Sequence, residues 1–567
     1  MALLSSGLSP SITVKEVDLS GVVPNVNTTT GAIVGDFQWG PAEEPKLIGN
    51  ESTLVSTFGQ PSLTSAVDFY STANFLRYSG NMFVTRMVDG SAKNSCISSV
   101  VAAPTVKNTS SLETQKSALD SDGNTFVGRF AGSAGNSLSV SILGASSTST
   151  AFDNWAYSSL FDAQPETSKY VEDLGGANDE VHVVVIDEDG EFTGVQGTVL
   201  ETFPFLSQAS GAKTSDGSSN FIEDVINSKS EYVYCVGTGY SNHGAAPSTA
   251  FGTHAVETVS LQGGVNSGSL GTSQFNAGFD LMKDENSFEI DFMIAPGMSS
   301  DVDQATVVNN IVANAAERKD CVVVASPSRS AVVNVAASNV VASTKTCVDG
   351  YTSSSYLIVD NNYLKVYDKY NDQYVMVPAA SSTAGLMAAT DINAAPWFSP
   401  AGQRRGQYFG VTSLAYNPTK TDRDTLYKAG INPIVNIPGQ GILLFGDKTK
   451  ESRPSAFDRI NVRRLFLVIE KAIKRASAGV MFEFNDEFTR SEFVNIVEPF
   501  LREIKGRRGI TDFKVVCDET NNTAAVIDTN NFVASIFIKP ARSINYVTLN
   551  FVATRTGVEF EEIVGTV

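Results

Sequence analysis

The chain has 567 residues, 42% of them hydrophobic, and sets 41 basic against 61 acidic side chains for a net charge of −20. That hydrophobic content excludes a disordered chain, and the acidic balance excludes a general nucleic-acid binder, which needs cations to displace phosphate counterions. The charge is uneven: residues 391–567 hold 23 basic and 20 acidic residues, leaving 18 and 41 for residues 1–390. Solvent around the acidic part, and a packed or charged partner around the near-neutral part, is the expectation.

The first ten residues, "MALLSSGLSP", lack the cationic start and long apolar run of a signal peptide. No stretch nears the ~20 apolar residues of a membrane-spanning helix. A soluble protein made inside a cell, with no membrane insertion, is expected. "SITVKEVD" follows, a strand with Ile12 and Val14 on one side and Val17 and Leu19 on the other. No hairpin turn returns it to a neighbour, yet a strand must pair its N–H and C=O groups. Its partner is expected in another chain.

"TGAIVGDFQWGPAEEPKLI" reads as a strand at Ala32–Val34, a loop through Gly40 and Pro41, then a short helix ending near Phe58. Val67, Tyr70, Ala73 and Leu76 recur at helical spacing before a stop at Gly80, and "NMFVTRMVDG" is a strand. Between about 95 and 180 Ser, Thr and Gly dominate and strands are short, as in "TFVGRFAG" and "NSLSVSILG", predicting a mostly β insertion. "EVHVVVIDEDGEFTG" is strand-turn-strand. Its "DEDG", residues 187–190, lacks the later ligands of a calcium loop and is expected to be a solvated hairpin turn.

"FEIDFMIAP" and "DCVVVASPS" are apolar runs of strand length. Between them Val307, Val308, Ile311, Val312 and Ala315 form one helical face, so a parallel βαβ unit is predicted. "FDRINVRRLFLVIEKAIKRASAG" places Val462, Leu465, Phe466, Ile469, Ala472, Ile473 and Ala476 on one face, with Arg463, Arg464, Lys471, Lys474 and Arg475 mainly on the other. A second helix is expected to open on a capping box, Thr489 with Glu492, and to stop at Gly506 before Arg507 and Arg508. Strands "DFKVVCD", "FVASIFIKP" and "SINYVTLNFVATR" come next. The chain finishes "GVEFEEIVGTV", a second lone strand in which Val558, Phe560 and Glu562 alternate with Glu559, Glu561 and Ile563.

Catalytic chemistry finds little support. His182, His243 and His254 have no recognisable partners, and no HExxH or GxSxG occurs. "GILLFGDKT" places Asp447 where a phosphate loop needs glycine before its lysine, so a strand and turn are expected there. The five cysteines, at 96, 235, 321, 347 and 517, form no CxxC pair, which fits a reducing cytoplasm and argues against zinc. No cofactor and no enzymatic activity are expected. The basic face of Arg463–Arg475 is either a surface for an anionic partner or a salt-bridged face.

Six stretches occur in one order: "GAIVGDFQWGPAEEPKLI…FGQP", "FAGSAGNSLSV", "LQGGVN", "APWFSPAGQRRG", "LYKAGINPIVNIPGQGILLFGDKT" and "INVRRLFLVIEKAIKRASAGVMFEFND". Together they resemble the contractile tail sheath proteins of bacteriophages. The resemblance implies an α/β and α+β multidomain chain. A C-terminal α/β core domain with a mixed sheet (391–556) would face a tail tube. An α/β middle region with a partly parallel sheet (22–94 and 181–390) and the β insertion (95–180) would project outward. It implies interlocking arms at 1–21, with Ile12, Val14, Val17 and Leu19, and at 557–567, with Val558, Phe560 and Ile563. It also implies self-assembly as hexameric rings in a helical sleeve that contracts to drive the tube through a host envelope. Implied partners are the tube protein and the baseplate and tail terminator proteins, with no direct nucleic-acid contact. The location would be the virion tail, assembled in the host bacterial cytoplasm. Arg463, Arg464, Lys471, Lys474, Arg475, Arg502, Lys505, Arg507 and Arg508 are the candidate tube-facing charges. Other readings are the sheath of a phage-derived bacteriocin or injection system, a cytosolic α/β enzyme, and a surface adhesin.

Overall fold

The computed structural model describes residues 28–97, 104–121, 125–145 and 149–545. The chain divides into two compact units, Val22–Met481 and a second made of Met1–Gly21 with Phe482–Val567.

The larger unit is built on a six-stranded sheet. Its order is Leu357–Val359, Val322–Ala325, Phe292–Ile294, Gly31–Gly35, Met82–Arg86 and Lys46–Ile48. All neighbours are parallel except the last pair. Side chains alternate along a strand, so Ile33, Phe292, Val322 and Ile358 enter one core while Ala32, Val34, Met293, Val323 and Leu357 enter the other. Burial on both faces explains the continuous apolar runs, as parallel sheets require. The expected crossover helix is Asp301–Arg318, with Val307, Val308, Ile311, Val312 and Ala315 buried.

The β-rich part does not end at residue 180. Strand Leu138–Gly144 pairs antiparallel with Glu180–Asp187, which pairs with Thr198–Ser207, while Glu257–Ser260 closes the other side. A second sheet joins Asn94–Cys96, Phe126–Ala131 and Val233–Cys235. "EVHVVVID" is a continuous apolar run although its pairing is antiparallel, because both its faces are covered. Val181, Val183 and Val185 lie in one cluster, and Val184 and Ile186 in another. Arg86, fully buried, fastens the insertion to the main sheet. It donates to Phe37 O and Gly40 O at 2.8 Å each and to Ala131 O at 2.5 Å.

Nor is there a division at 390/391, because helix Ala380–Asn393 runs through it. Ile434, Ile442, Leu444, Ile460 and Leu467 share a core with Ile33 and Phe292, so residues up to 481 belong to the larger body. The change in charge near residue 391 reports on surface rather than on core.

In the smaller unit, helix Glu487–Gly506 buries Phe493, Val497, Leu501 and Ile504. It begins earlier than expected. Asp486 is the N-cap and accepts from Thr489 N at 2.8 Å, so Thr489 lies in the first turn. Ile510–Val516 and Ser535–Pro540 form an antiparallel ribbon, which has two strands among the described residues. Most of "SINYVTLNFVATR" lies outside those residues.

Candidate functional site

Both expected arms fall outside the described residues, with Ile12, Val14, Val17 and Leu19 at one end and Val558, Phe560 and Ile563 at the other. Thr28, the first described residue, lies against the basic helix Ile460–Ser477.

That helix does not offer a free basic face. Ile460, Arg464, Leu467 and Lys471 follow one another at three- and four-residue spacing, so one stripe carries both apolar and cationic side chains inward. The Arg464 side chain, 5% exposed, makes a two-pronged ion pair with that of Asp391, 2% exposed. Its guanidinium lies over the Phe292 ring at 4.6 Å and donates to Met387 O and Thr28 O at 3.2 Å each. Lys471 pairs with Asp291 at 3.1 Å, again with both side chains largely buried. Arg463 is buried with its guanidinium over Tyr356 at 4.2 Å and Phe457 at 4.6 Å. Lys474 meets Glu285, and Arg475 meets Glu289. Of the two sequence readings, the salt-bridged one describes this face. Periodicity sorts residues by type and placed Arg463 and Arg464 outside. Their acidic and aromatic partners, distant in sequence, bring them in.

Burial sets the electrostatics. It raises Asp291 to about 6 against the pull of Lys471 and the Thr30 N–H, and it raises Asp391 despite Arg464. In each pair a specific cation opposes the effect of burial on the carboxyl, so each cation is tied to one place.

The second set of candidates remains at the surface. Arg502, Lys505, Arg507 and Arg508 are exposed on or just beyond helix Glu487–Gly506. Arg502 lies 3.5 Å from Glu498, Lys505 3.2 Å from Asp512 and Arg507 3.5 Å from Glu503. Exposed pairs of this kind contribute little to stability and are easily exchanged for another partner.

The remaining motifs serve the fold. Asp447, buried, accepts from Arg459 Nη1 at 2.9 Å and from Ser399 Oγ and Tyr427 OH at 3.2 Å each, which ties down the "GDKT" turn. "DEDG" differs from a solvated turn, because Asp187 is fully buried. It accepts from Ser137 Oγ at 2.7 Å, Gly190 N at 3.1 Å and Thr193 N at 2.8 Å. His182, also fully buried, stacks on Phe161 at 4.2 Å; Nε2 meets Ala163 O at 2.8 Å and Nδ1 accepts from Phe205 N at 3.0 Å. All five cysteines are buried. Among the described residues no group of three His, Cys, Asp or Glu side chains converges as a metal site, and no helix is long and apolar enough to cross a membrane.

The fold is that of sheath tail proteins. A sheath tail protein from Listeria innocua superposes with a TM-score of 0.54, covering 92% of this chain and 97% of that one at 12% identity. One from Desulfitobacterium hafniense gives 0.51, covering 90% and 94% at 14% identity. In sequence, the phage tail sheath protein central-domain model matches residues 269–450, and the phage tail sheath C-terminal-domain model matches 452–554. The tail sheath protein of Vibrio phage KVP40 is 32% identical over 98% of this chain and all of its own length. That of Enterobacteria phage T4 is 32% identical over 98% and 99%. The chain belongs to the phage tail sheath protein family.

Proposed function

We propose that the chain is the structural subunit of a contractile tail sheath. It polymerises as hexameric rings in a helical sleeve around a tail tube, bound at its ends by baseplate and terminator proteins. It shortens from a metastable extended state to drive the tube through the host envelope for genome delivery. The observation that carries this is end-to-end similarity at 32% identity to phage proteins named tail sheath protein, with no large part of either chain left over. The phage source of those relatives favours the virion tail over a bacteriocin or injection system.

In this reading the arms are the mesh. The ribbon of Ile510–Val516 and Ser535–Pro540 receives strands from neighbouring subunits. A two-stranded ribbon is marginal alone, and Phe537 on it is 60% exposed. Each added backbone bond contributes about 0.5–1.5 kcal/mol, and ordering a free arm costs about 1–2 kcal/mol per residue. One arm is therefore marginal, and many engaged together make assembly cooperative. Arg502, Lys505, Arg507 and Arg508 are the tube-facing charges of this reading, with Lys474 and Arg475 secondary and Arg463, Arg464 and Lys471 set aside.

Negative-stain microscopy of the purified chain tests the class. Hollow tubular polymers are expected, and a chain that stays monomeric or forms compact closed oligomers contradicts it.

A further inference from the structure

Residues 28–30 are held by four separate parts of the larger unit. Thr28 O accepts from Arg464, and the Thr28 side chain also hydrogen-bonds Asp391. Thr29 O accepts from Ser79 Oγ at 2.8 Å. Thr30 N donates to Asp291 Oδ2 at 3.0 Å, while Thr30 O accepts from Asp291 N at 2.9 Å and Phe292 N at 3.1 Å. Directly beyond, Gly31–Gly35 is an inner strand of the six-stranded sheet, paired in parallel on both sides. Thr28, Thr29 and Thr30, which lead into that strand, are thus all fastened. Two of the fastenings are the acidic partners of the basic helix.

We infer that Arg464–Asp391 and Lys471–Asp291 are positioning pairs for the N-terminal arm: they fix the course of residues 28–30, the stretch that links the preceding chain to the sheet, and tie that stretch to the basic helix. This rests on the arm reading above. The chemistry suits a mechanical joint. A buried charge pair tolerates only the geometry that keeps both charges satisfied, so it holds direction more strictly than apolar packing of the same volume. The basic helix is the last helix longer than one turn before residue 481, where the larger unit ends. Load on Thr28 therefore reaches this helix directly through Arg464, without crossing the β-rich insertion.

The test uses the full-length chain and two paired replacements, Asp391→Leu/Arg464→Met and Asp291→Asn/Lys471→Met, which remove the charges without leaving one unpaired. Hydrogen exchange of the isolated subunit is read on peptides covering residues 28–35, with Val322–Ala325 as an internal control. Exchange at 28–31 should rise about tenfold in both pairs while the control stays within twofold. Sheath assembly in co-expressed tails should fall in parallel, and Lys471→Arg, which keeps the charge, should restore both readouts relative to Lys471→Met. Unchanged exchange at 28–31 overturns the inference, as does a loosened root with undiminished assembly. A chain lacking residues 1–20 that still assembles would overturn the arm reading instead, since that deletion leaves both pairs in place.

Discussion

Arg464 and Asp391, 73 residues apart in sequence, meet as a buried two-pronged ion pair, and the same guanidinium reaches Thr28 O at 3.2 Å. One side chain therefore joins the basic helix, helix Ala380–Asn393 and the stretch that leads into strand Gly31–Gly35.

Breaking this pair from one side leaves a buried charge alone. Arg464→Met and Asp391→Leu are each expected to cost about 3–5 kcal/mol, whereas the double variant should lie within about 1–2 kcal/mol of the parent. Urea unfolding of all four proteins gives the coupling energy. Additive single effects would mean that the two side chains act independently.

Asp291 makes stability depend on pH. Its folded value of about 6 lies above the ordinary 3.8, so the folded chain holds a proton that the unfolded chain has lost between those values. Its stabilising share is present below about pH 4 and is lost as pH rises to about 6. The groups facing it are Lys471, Arg464 and the Thr30 N–H, none of which titrates in that window. Unfolding free energies of the parent and of Asp291→Asn/Lys471→Met should diverge by up to about 3 kcal/mol across pH 4–6, with the parent falling more. Parallel curves would rule this out.

His182 works with the opposite sign. Burial lowers its pKa below 6.5, and its Nδ1 must stay unprotonated to accept from Phe205 N. The unfolded chain takes up a proton below about pH 6.5 and the folded chain does not, so stability is lost as pH falls through that point. His182→Gln, which does not titrate, should flatten the decline between pH 6.5 and 5. An unaltered slope would assign the acid response elsewhere.

Charge reversal at Arg502, Lys505, Arg507 and Arg508 removes only exposed pairs, so the monomer's melting temperature should move by no more than about 2–4 °C. Co-purification with the tube protein should be lost. Reversal at Lys474 and Arg475 should have a smaller effect. Full tube binding by the fourfold variant would show that these charges face elsewhere.

The main sheet was legible in the sequence because parallel strands buried on both faces write uninterrupted apolar runs, such as the one around Phe292–Ile294, and helix Asp301–Arg318 between strands fixes their direction. The basic helix was legible as a helix, and Val462, Leu465, Ile469 and Ala472 are buried as its period implies. Its cations were misplaced because a carboxylate that admits an arginine to the interior can sit anywhere in the chain, as Asp391 does. The β-rich insertion was cut short at residue 180 for a related reason. Pairing of Val140 with Val185 is a long-range fact, while Ser- and Thr-rich loops are a local one. Helix Glu487–Gly506 shows the limit at single-residue scale, since Asp486 and Thr489 are both fit to cap it and only the backbone decides between them.

If the two ends of the chain link subunits into a contracting sleeve, as proposed, both ends are needed for a sheath. Electron microscopy of tails co-expressed with the full-length chain, or with chains lacking residues 1–20 or 557–567, tests it most directly. Sheathed, contractile tails are expected for the full-length chain and bare tubes for both deletions. Deleted chains that still form sheaths and contract would contradict it.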